Sequence, residues 1–423
     1  MTQPPRTPQE APLHAEPGGV ALDGPRPAQG NEWLEAARLA DLVFSAETGR
    51  PYDMATMFPL LFSPENAAHL RVFSARQPGK AGDRGRLVSH LGIRVVEVSL
   101  YGHRLPVGCI GAVVTHPEWR GRGLASRLLD DAFRLLREEG VPVAWISGDR
   151  GLYLRHGCQK VGRVHVFEVP PGAAGQESGP LHELRLQPPG HPGTGEPAFD
   201  SGLFSQLIDL YHREPVRFVR PADTFATLLG AAGYARASGT VARVFLAGEP
   251  PVAAWIVAVP PDPARSGRPA RVMEATGSRP ALVASAPRVA AAVGAPLVWV
   301  VLPWDREALA LLRRTGWPER VQPQYGTLRV LDGQRLLEAL RPYLVERLGR
   351  QRAEALRWPH QGAAAPGAAL SPEAWVWGAP PASPDPEAGR AGGAGTAVED
   401  GHPSLPEGAF PLPWPWAAGL DYT

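Results

Sequence analysis

At 423 residues the chain is too long for one ordinary hydrophobic core, and two or three domains are expected. Hydrophobic residues make up 44%, enough for globular packing, and 43 Lys+Arg against 42 Asp+Glu leave a formal charge of +1, which excludes the strong basic excess of a nucleic-acid binder. Two cysteines, Cys109 and Cys158, exclude a disulfide framework or structural zinc, and the lack of an apolar leader or of about 18 consecutive apolar residues excludes export and membrane spanning, so a cytoplasmic protein is expected.

Residues 1–30 are rich in Pro, Gly and Gln without periodicity and read as a disordered tail. From Glu32 to Phe44, Trp33, Ala36, Leu39, Ala40 and Val43 recur at helical spacing, and Met54 to Val72 reads as a second helical region broken near Ser63-Pro64. Gly85 to His90 and Ile93 to Tyr101 read as strands, and Gly102-His103 turns into a third, Leu105 to Thr115.

The ten residues that follow, His116 to Ala125 (HPEWRGRGLA), lead into an amphipathic helix, Leu124 to Glu139. Gly121 and Gly123 remove side chains where backbone must approach something. The first free N–H groups of the helix, Leu124, Ala125 and Ser126, and the guanidinium groups of Arg120 and Arg122 face the same point, which suits a pyrophosphate. A Walker loop would need GK followed by Ser or Thr, which is missing. A dinucleotide fold would place its glycine turn near the start of a parallel βαβ unit, whereas this turn follows an antiparallel meander.

Val141 to Ile146 gives the next strand, Gly151 to Gly157 (GLYLRHG) a short helix, and Val161 to Val169 a closing strand. This order of elements, with Arg120, Gly123 and Ala125 meeting the pattern Q/R-x-x-G-x-G/A, resembles the GNAT superfamily of N-acetyltransferases. The resemblance implies an α/β fold with a mixed, mostly antiparallel sheet flanked by helices over residues 31–170, and acetyl-CoA as cosubstrate. It implies that the backbone of Val113, Val114 and Thr115 pairs with the pantetheine, that the amides of Gly121 to Ser126 hold the pyrophosphate, and that Tyr153 protonates the departing thiolate. The acceptor would be the primary amine of a small molecule or a protein lysine.

After a linker, residues 171–180, the pattern repeats over residues 181–331. Leu181 to Gln187 opens a second sheet, Leu203 to Tyr211 is a helix, and Val241 to Val259 a hairpin. Strand Ala270 to Ala275, helix Ala281 to Val293, strand Leu297 to Leu302, helix Arg306 to Thr315 and strand Gly326 to Leu331 follow. The second copy lacks R-x-x-G-x-G/A and carries Pro280 at its helix entry, so it reads as a degenerate module supplying walls and interfaces. Residues 332–423 form a C-terminal appendage, with helix Gln334 to Leu348, short elements at Leu370 to Gly378 and Leu405 to Thr423, and a mobile loop at 379–402.

Tandem GNAT-like modules with such an appendage resemble the enhanced intracellular survival protein group of acetyltransferases. That resemblance implies assembly through the later modules, hence a homo-oligomer, and a general base in the terminal carboxylate, here Thr423. By residue chemistry alone, His116 beside Pro117 and Glu97 on a strand read as structural and solvated respectively. Cys158 reads as a buried, inert thiol, and His90, His103 and His156 have no partners at ligand spacing, so no metal is expected. A non-catalytic acyl-CoA sensor or a nucleotide binder would use the same turn; the first would tolerate loss of Tyr153 but not of Arg120 or Gly123.

Overall fold

A computed structural model describes residues 14–15, 20–76, 85–172, 179–184, 201–231, 240–262, 267–358, 372–378, 381 and 412–415. The first module's chain runs through β1 (His14–Ala15), β2 (Ala21–Pro27), α1 (Glu32–Thr48), α2 (Met54–Met57), a 3-10 turn (Pro64–His69) and β3 (Leu70–Arg76). It continues through β4 (Arg86–Leu100), β5 (His103–Thr115), α3 (Leu124–Glu138), β6 (Val143–Ile146) and α4 (Gly151–Arg155). Then come β7 (Arg163–Val169), β8 (Leu181–Leu184), α5 (Ser201–His212), β9 (Val216–Phe218), α6 (Ala222–Ala231), β10 (Arg243–Ala247), β11 (Ala254–Val259) and β12 (Ala270–Gly277). The remainder is α7 (Arg279–Val293), β13 (Leu297–Val301), α8 (Arg306–Arg314), β14 (Glu319–Pro323), β15 (Thr327–Val330), α9 (Gly333–Leu348), α10 (Arg350–Ala355) and α11 (Pro372–Trp377).

Two mixed sheets result, each antiparallel except for one parallel pair, β5 with β6 in the first and β12 with β13 in the second. The expected α/β fold of tandem modules is present, but the modules exchange strands. The first sheet runs β1-β2-β3-β4-β5-β6-β15 with β9 also on β4; the second runs β14-β7-β13-β12-β11-β10-β8. Strand β7, expected to close the first sheet, instead pairs with β13 and β14, while β15 from the second repeat pairs antiparallel with β6. Neither sheet is complete without a strand from the other repeat.

Helix α3 forms because Leu124, Leu128, Leu129, Ala132, Phe133 and Leu136 recur at helical spacing on one face, and all are buried against the sheet with Ile93, Ile110 and Ala144. On the opposite sheet face α1 presents the small residues Ala36, Ala37 and Ala40, which let it lie close over Val72, Leu87 and Val114. Helix α9 covers the far end of the first sheet, burying Leu336, Leu337, Leu340 and Leu344 against Leu105, Val107 and Cys109.

Three local expectations need correction. Residues 21–27 are a strand and not tail: Leu22 is buried, and the Arg26 guanidinium donates to both Glu32 oxygens at 2.7 and 2.8 Å and to Asp23 at 2.8 Å. Pro25 and Pro27 had masked the strand's alternation, as prolines do at a sheet edge. Leu70 to Val72, read as helix, begins β3 once the 3-10 turn ends. The expected break between Gly85–His90 and Ile93–Tyr101 is a bulge inside one strand, β4. The loop 379–402 lies outside the described residues apart from residue 381. Among the described residues no helix is long and apolar enough to cross a membrane.

Candidate active site

Strands β5 and β6 run parallel from Val107/Val143 to Ile110/Ile146 and then part. The last tie is the Ser147 N–H to the Ile110 carbonyl, 3.1 Å, after which β6 ends while β5 continues to Thr115. Among the described residues, the edge of Val113, Val114 and Thr115 turned away from β4 therefore has no strand beside it. At the parting point the register with β4 slips between His90 and Gly92, and Ala112 takes φ 49°. A non-glycine residue in this region is strained, and the bulge interrupts the ladder with β4.

The chain then makes a short 3-10 turn, Pro117–Trp119, and reaches Gly121 at φ 78° and Gly123 at φ 73°, the latter the N-cap of α3. A Cβ at either glycine would meet nothing within 4 Å, so glycine is needed there for backbone conformation, and the space above the loop is open. No side chain caps α3, leaving the N–H groups of Leu124, Ala125 and Ser126 without intrahelical acceptors.

These pieces wall one cleft of about 400 Å³, which the Val113–Thr115 edge, Gly121, Gly123 to Ser126 and Tyr153 share. The structure thus brings together every expected binding residue but one. Arg122 stacks on Trp119, its guanidinium carbon 4.5 Å from the ring centroid, and is not among the cleft residues. The cleft's positive charge comes from Arg120, Arg150 and Arg155. Arg120 donates to the Thr115 carbonyl at 3.3 Å and to Glu47 at 2.8 Å; Arg150 lies 3.6 Å from the other Glu47 oxygen. Glu47, from the last turn of α1, thus spans two guanidinium groups at the cleft.

Sequence reading missed Glu47, Arg150 and Arg155. Arg150 immediately precedes GLYLRHG and Arg155 is the arginine within it, and these were the available signal, since a charge at each end of a short helix points to an anion; Glu47 lies beyond where the α1 periodicity was followed.

Tyr153 on α4 is 6% exposed and lines the cleft. Among the described residues its hydroxyl makes no hydrogen bond. Burial raises its pKa, so the group is a neutral donor at ordinary pH.

The other candidates fall away. His116 receives a hydrogen bond from Arg86 at 2.7 Å on one ring nitrogen and faces the Glu118 N–H at 3.4 Å with the other. Glu97 is half exposed and paired with Arg104 at 2.6 Å. Burial pushes the Cys158 thiol up to about 12, far from a reactive thiolate. Burial likewise pushes the His90 imidazole down to about 3, so it stays neutral. Thr423 lies outside the described residues.

Residues 25–161 match the acetyltransferase (GNAT) domain family. No curated protein matches the sequence. Among solved structures, a GCN5-related N-acetyltransferase from Anabaena variabilis superposes with a TM-score of 0.52 at 18% identity, over 76% of this chain and 75% of that one. A probable N-acyltransferase from Enterococcus faecalis gives 0.50 at 12% identity over 76% and 74%. Eis1 from Mycobacterium abscessus gives 0.47 at 16% identity over 76% of each chain. At these identities the first two establish likeness of fold.

Proposed function

We propose that the chain transfers an acetyl group from acetyl-CoA to a primary amine in the first module's cleft, a reading supported by the match of residues 25–161 to the acetyltransferase (GNAT) domain family. The observation that carries this is the coincidence, in one cleft, of an unpaired strand edge, a helix start with free amides, three guanidinium groups and a buried phenol.

The fit is chemical at each point. The amides of Gly121 to Ser126, with Arg120, Arg150 and Arg155, supply charge-assisted donors suited to a diphosphate and a third phosphate. The free edge at Val113, Val114 and Thr115 can take an amide-bearing arm as an added strand. The thioester supplies the activated acyl group. An amide at the Ala112 bulge would polarise its carbonyl, a role worth about 10²–10³ in kcat per donor. Tyr153 gives the proton that the leaving thiolate takes up.

For the base, the proposal keeps the Thr423 carboxylate implied by the survival-protein resemblance. Its support is that Leu412 and Trp414 are buried in the same cluster as Cys109 and Trp145, each one residue before the parting point of β5 and β6. Residues 416–423 can span up to about 26–29 Å from there. A variant ending at Pro415 is expected to lose turnover and keep acetyl-CoA affinity; retained turnover would remove Thr423 from the mechanism.

The test of the activity is release of free thiol from acetyl-CoA across aminoglycosides, polyamines, amino acids and lysine peptides. Release with one class identifies the acceptor, whereas tight binding without release from any would make the protein a sensor.

Glu47 competes with the phosphates for Arg120 and Arg150. All three side chains are a third or more exposed, so the pairs contribute at most about 1 kcal/mol. Glu47→Gln is therefore expected to tighten acetyl-CoA binding about two- to fivefold, with a stronger salt dependence, in a calorimetric titration. A weaker affinity would mean that Glu47 helps to hold the ligand.

A further inference from the structure

The second module contains the counterpart of this cleft, and it is closed from within. Strands β12 and β13 pair in parallel only at Ala270/Leu297 and Arg271/Val298 before parting, as β5 and β6 do. The space between them is about 90 Å³, against about 400 Å³ in the first module. Only Ser278 separates β12 from α7, where eight residues separate β5 from α3, so no loop wraps the opening.

What lies there is a carboxylate. Glu214 is 8% exposed. One of its oxygens accepts from the Thr276 hydroxyl at 2.5 Å, the Gly277 N–H at 3.0 Å and Arg279 Nη1 at 2.6 Å; the other accepts from Arg279 Nη2 at 2.5 Å. The remaining edge of the Arg279 guanidinium donates to Asp305 at 2.9 Å, and Asp305 in turn accepts the Ala308 N–H at 3.1 Å. A backbone amide, a hydroxyl and a bidentate guanidinium converging on two oxygens form a donor set for an oxyanion.

Glu214 is also tied to the first module. Two residues on, β9 pairs its Val216–Phe218 with Leu100–Val98 of β4, and the Pro215 carbonyl accepts the Tyr101 N–H at 2.6 Å. We propose that the second module keeps the oxyanion half of the cleft, with the Glu214 carboxylate as its permanent occupant, and that this internal occupant is the clasp holding β9 on the catalytic sheet. The site is specific for a small tetrahedral oxyanion of the phosphate class once the carboxylate is removed. In the first module the corresponding Glu47 is exposed and displaceable; in the second the carboxylate is buried and stays. The inference stands whether or not the first module is an acetyltransferase.

The experiment compares the full-length parent chain, Glu214→Ala and Glu214→Gln by thermal melting in inorganic phosphate against chloride at matched ionic strength. Glu214→Ala leaves Arg279 short of a partner and vacates the donor set. It is expected to melt roughly 5–15 °C below the parent in chloride and to recover in phosphate along a saturating curve. Glu214→Gln keeps the space filled, so it and the parent are expected to show only the small, non-saturating rise common to excluded anions. Equal phosphate responses in all three proteins, or none specific to Glu214→Ala, would overturn the proposal. If Glu214→Ala does not fold in chloride, its refolding yield is the readout: recovery in phosphate but not chloride supports the site, and equal yields refute it.

Discussion

Gly123→Asp is expected to weaken acetyl-CoA binding by more than 100-fold while leaving the chain folded. The two halves of that expectation come from the same position. Gly123 holds φ 73° as the N-cap of α3, in space open to the cleft. An aspartate there bears a left-handed backbone penalty of about 1–2 kcal/mol, but it is a good N-cap, which offsets part of that cost. Its carboxylate, however, would stand in the space proposed for the diphosphate and could itself accept from the amides proposed to hold it. Repulsion at about 4 Å and an effective dielectric near 20 is roughly 4 kcal/mol per charge pair, and tenfold in affinity is about 1.4 kcal/mol.

Gly123→Ala separates strain from charge, because it carries the backbone penalty alone and is expected to cost about tenfold. Titration calorimetry reads both, and circular dichroism checks the fold. An unchanged dissociation constant in Gly123→Asp would remove the loop from the binding site. The position of Arg122 over Trp119 adds a sharper arm: Arg120→Ala should weaken binding more than Arg122→Ala, since only Arg120 lines the cleft.

The loop was legible because its chemistry is local. Two positive-φ glycines, an uncapped helix start and nearby arginines lie within ten consecutive residues, a spacing that suits an anion. The parting of β5 from β6 was legible only through resemblance, since strand length says where a strand ends but not where its neighbour does. The exchange of β7 and β15 left no trace at all. Val164 and Val166 are buried on one face and His165, Phe167 and Val169 on the other, so the segment satisfies either sheet, and alternation specifies faces without naming partners. Arg150 and Arg155, from the two ends of α4, meet Glu47 from the distant α1 in the cleft. The Glu214 clasp was hidden for the same reason: Glu214 and Arg279 are 65 positions apart, and nothing in either neighbourhood calls for the other.

Tyr153→Phe is expected to lower kcat about 100-fold and to leave acetyl-CoA affinity within about twofold, a split that a packing role could not produce. Phenylalanine keeps the ring, which is buried among Leu124, Leu128 and Cys158, so the cluster beneath the sheet loses no apolar surface. What is lost is a hydroxyl that bonds to no described residue and borders the cleft. General acid catalysis typically contributes about 10²–10⁴, and the low end applies here because a thiolate, with a parent pKa near 8.5, leaves without much help.

The pH dependence gives an independent check on that role. Burial raises the phenol above its ordinary value of 10.0, so Tyr153 is protonated throughout the neutral range and loses its proton only in strong alkali. The parent enzyme should therefore show no fall in kcat attributable to Tyr153 below about pH 10. The Phe variant's deficit relative to the parent should accordingly be constant across pH 6–9. A deficit that vanished on raising the pH within that range would assign the effect to a different titrating group. An unchanged kcat at every pH would return Tyr153 to the core as a packed ring.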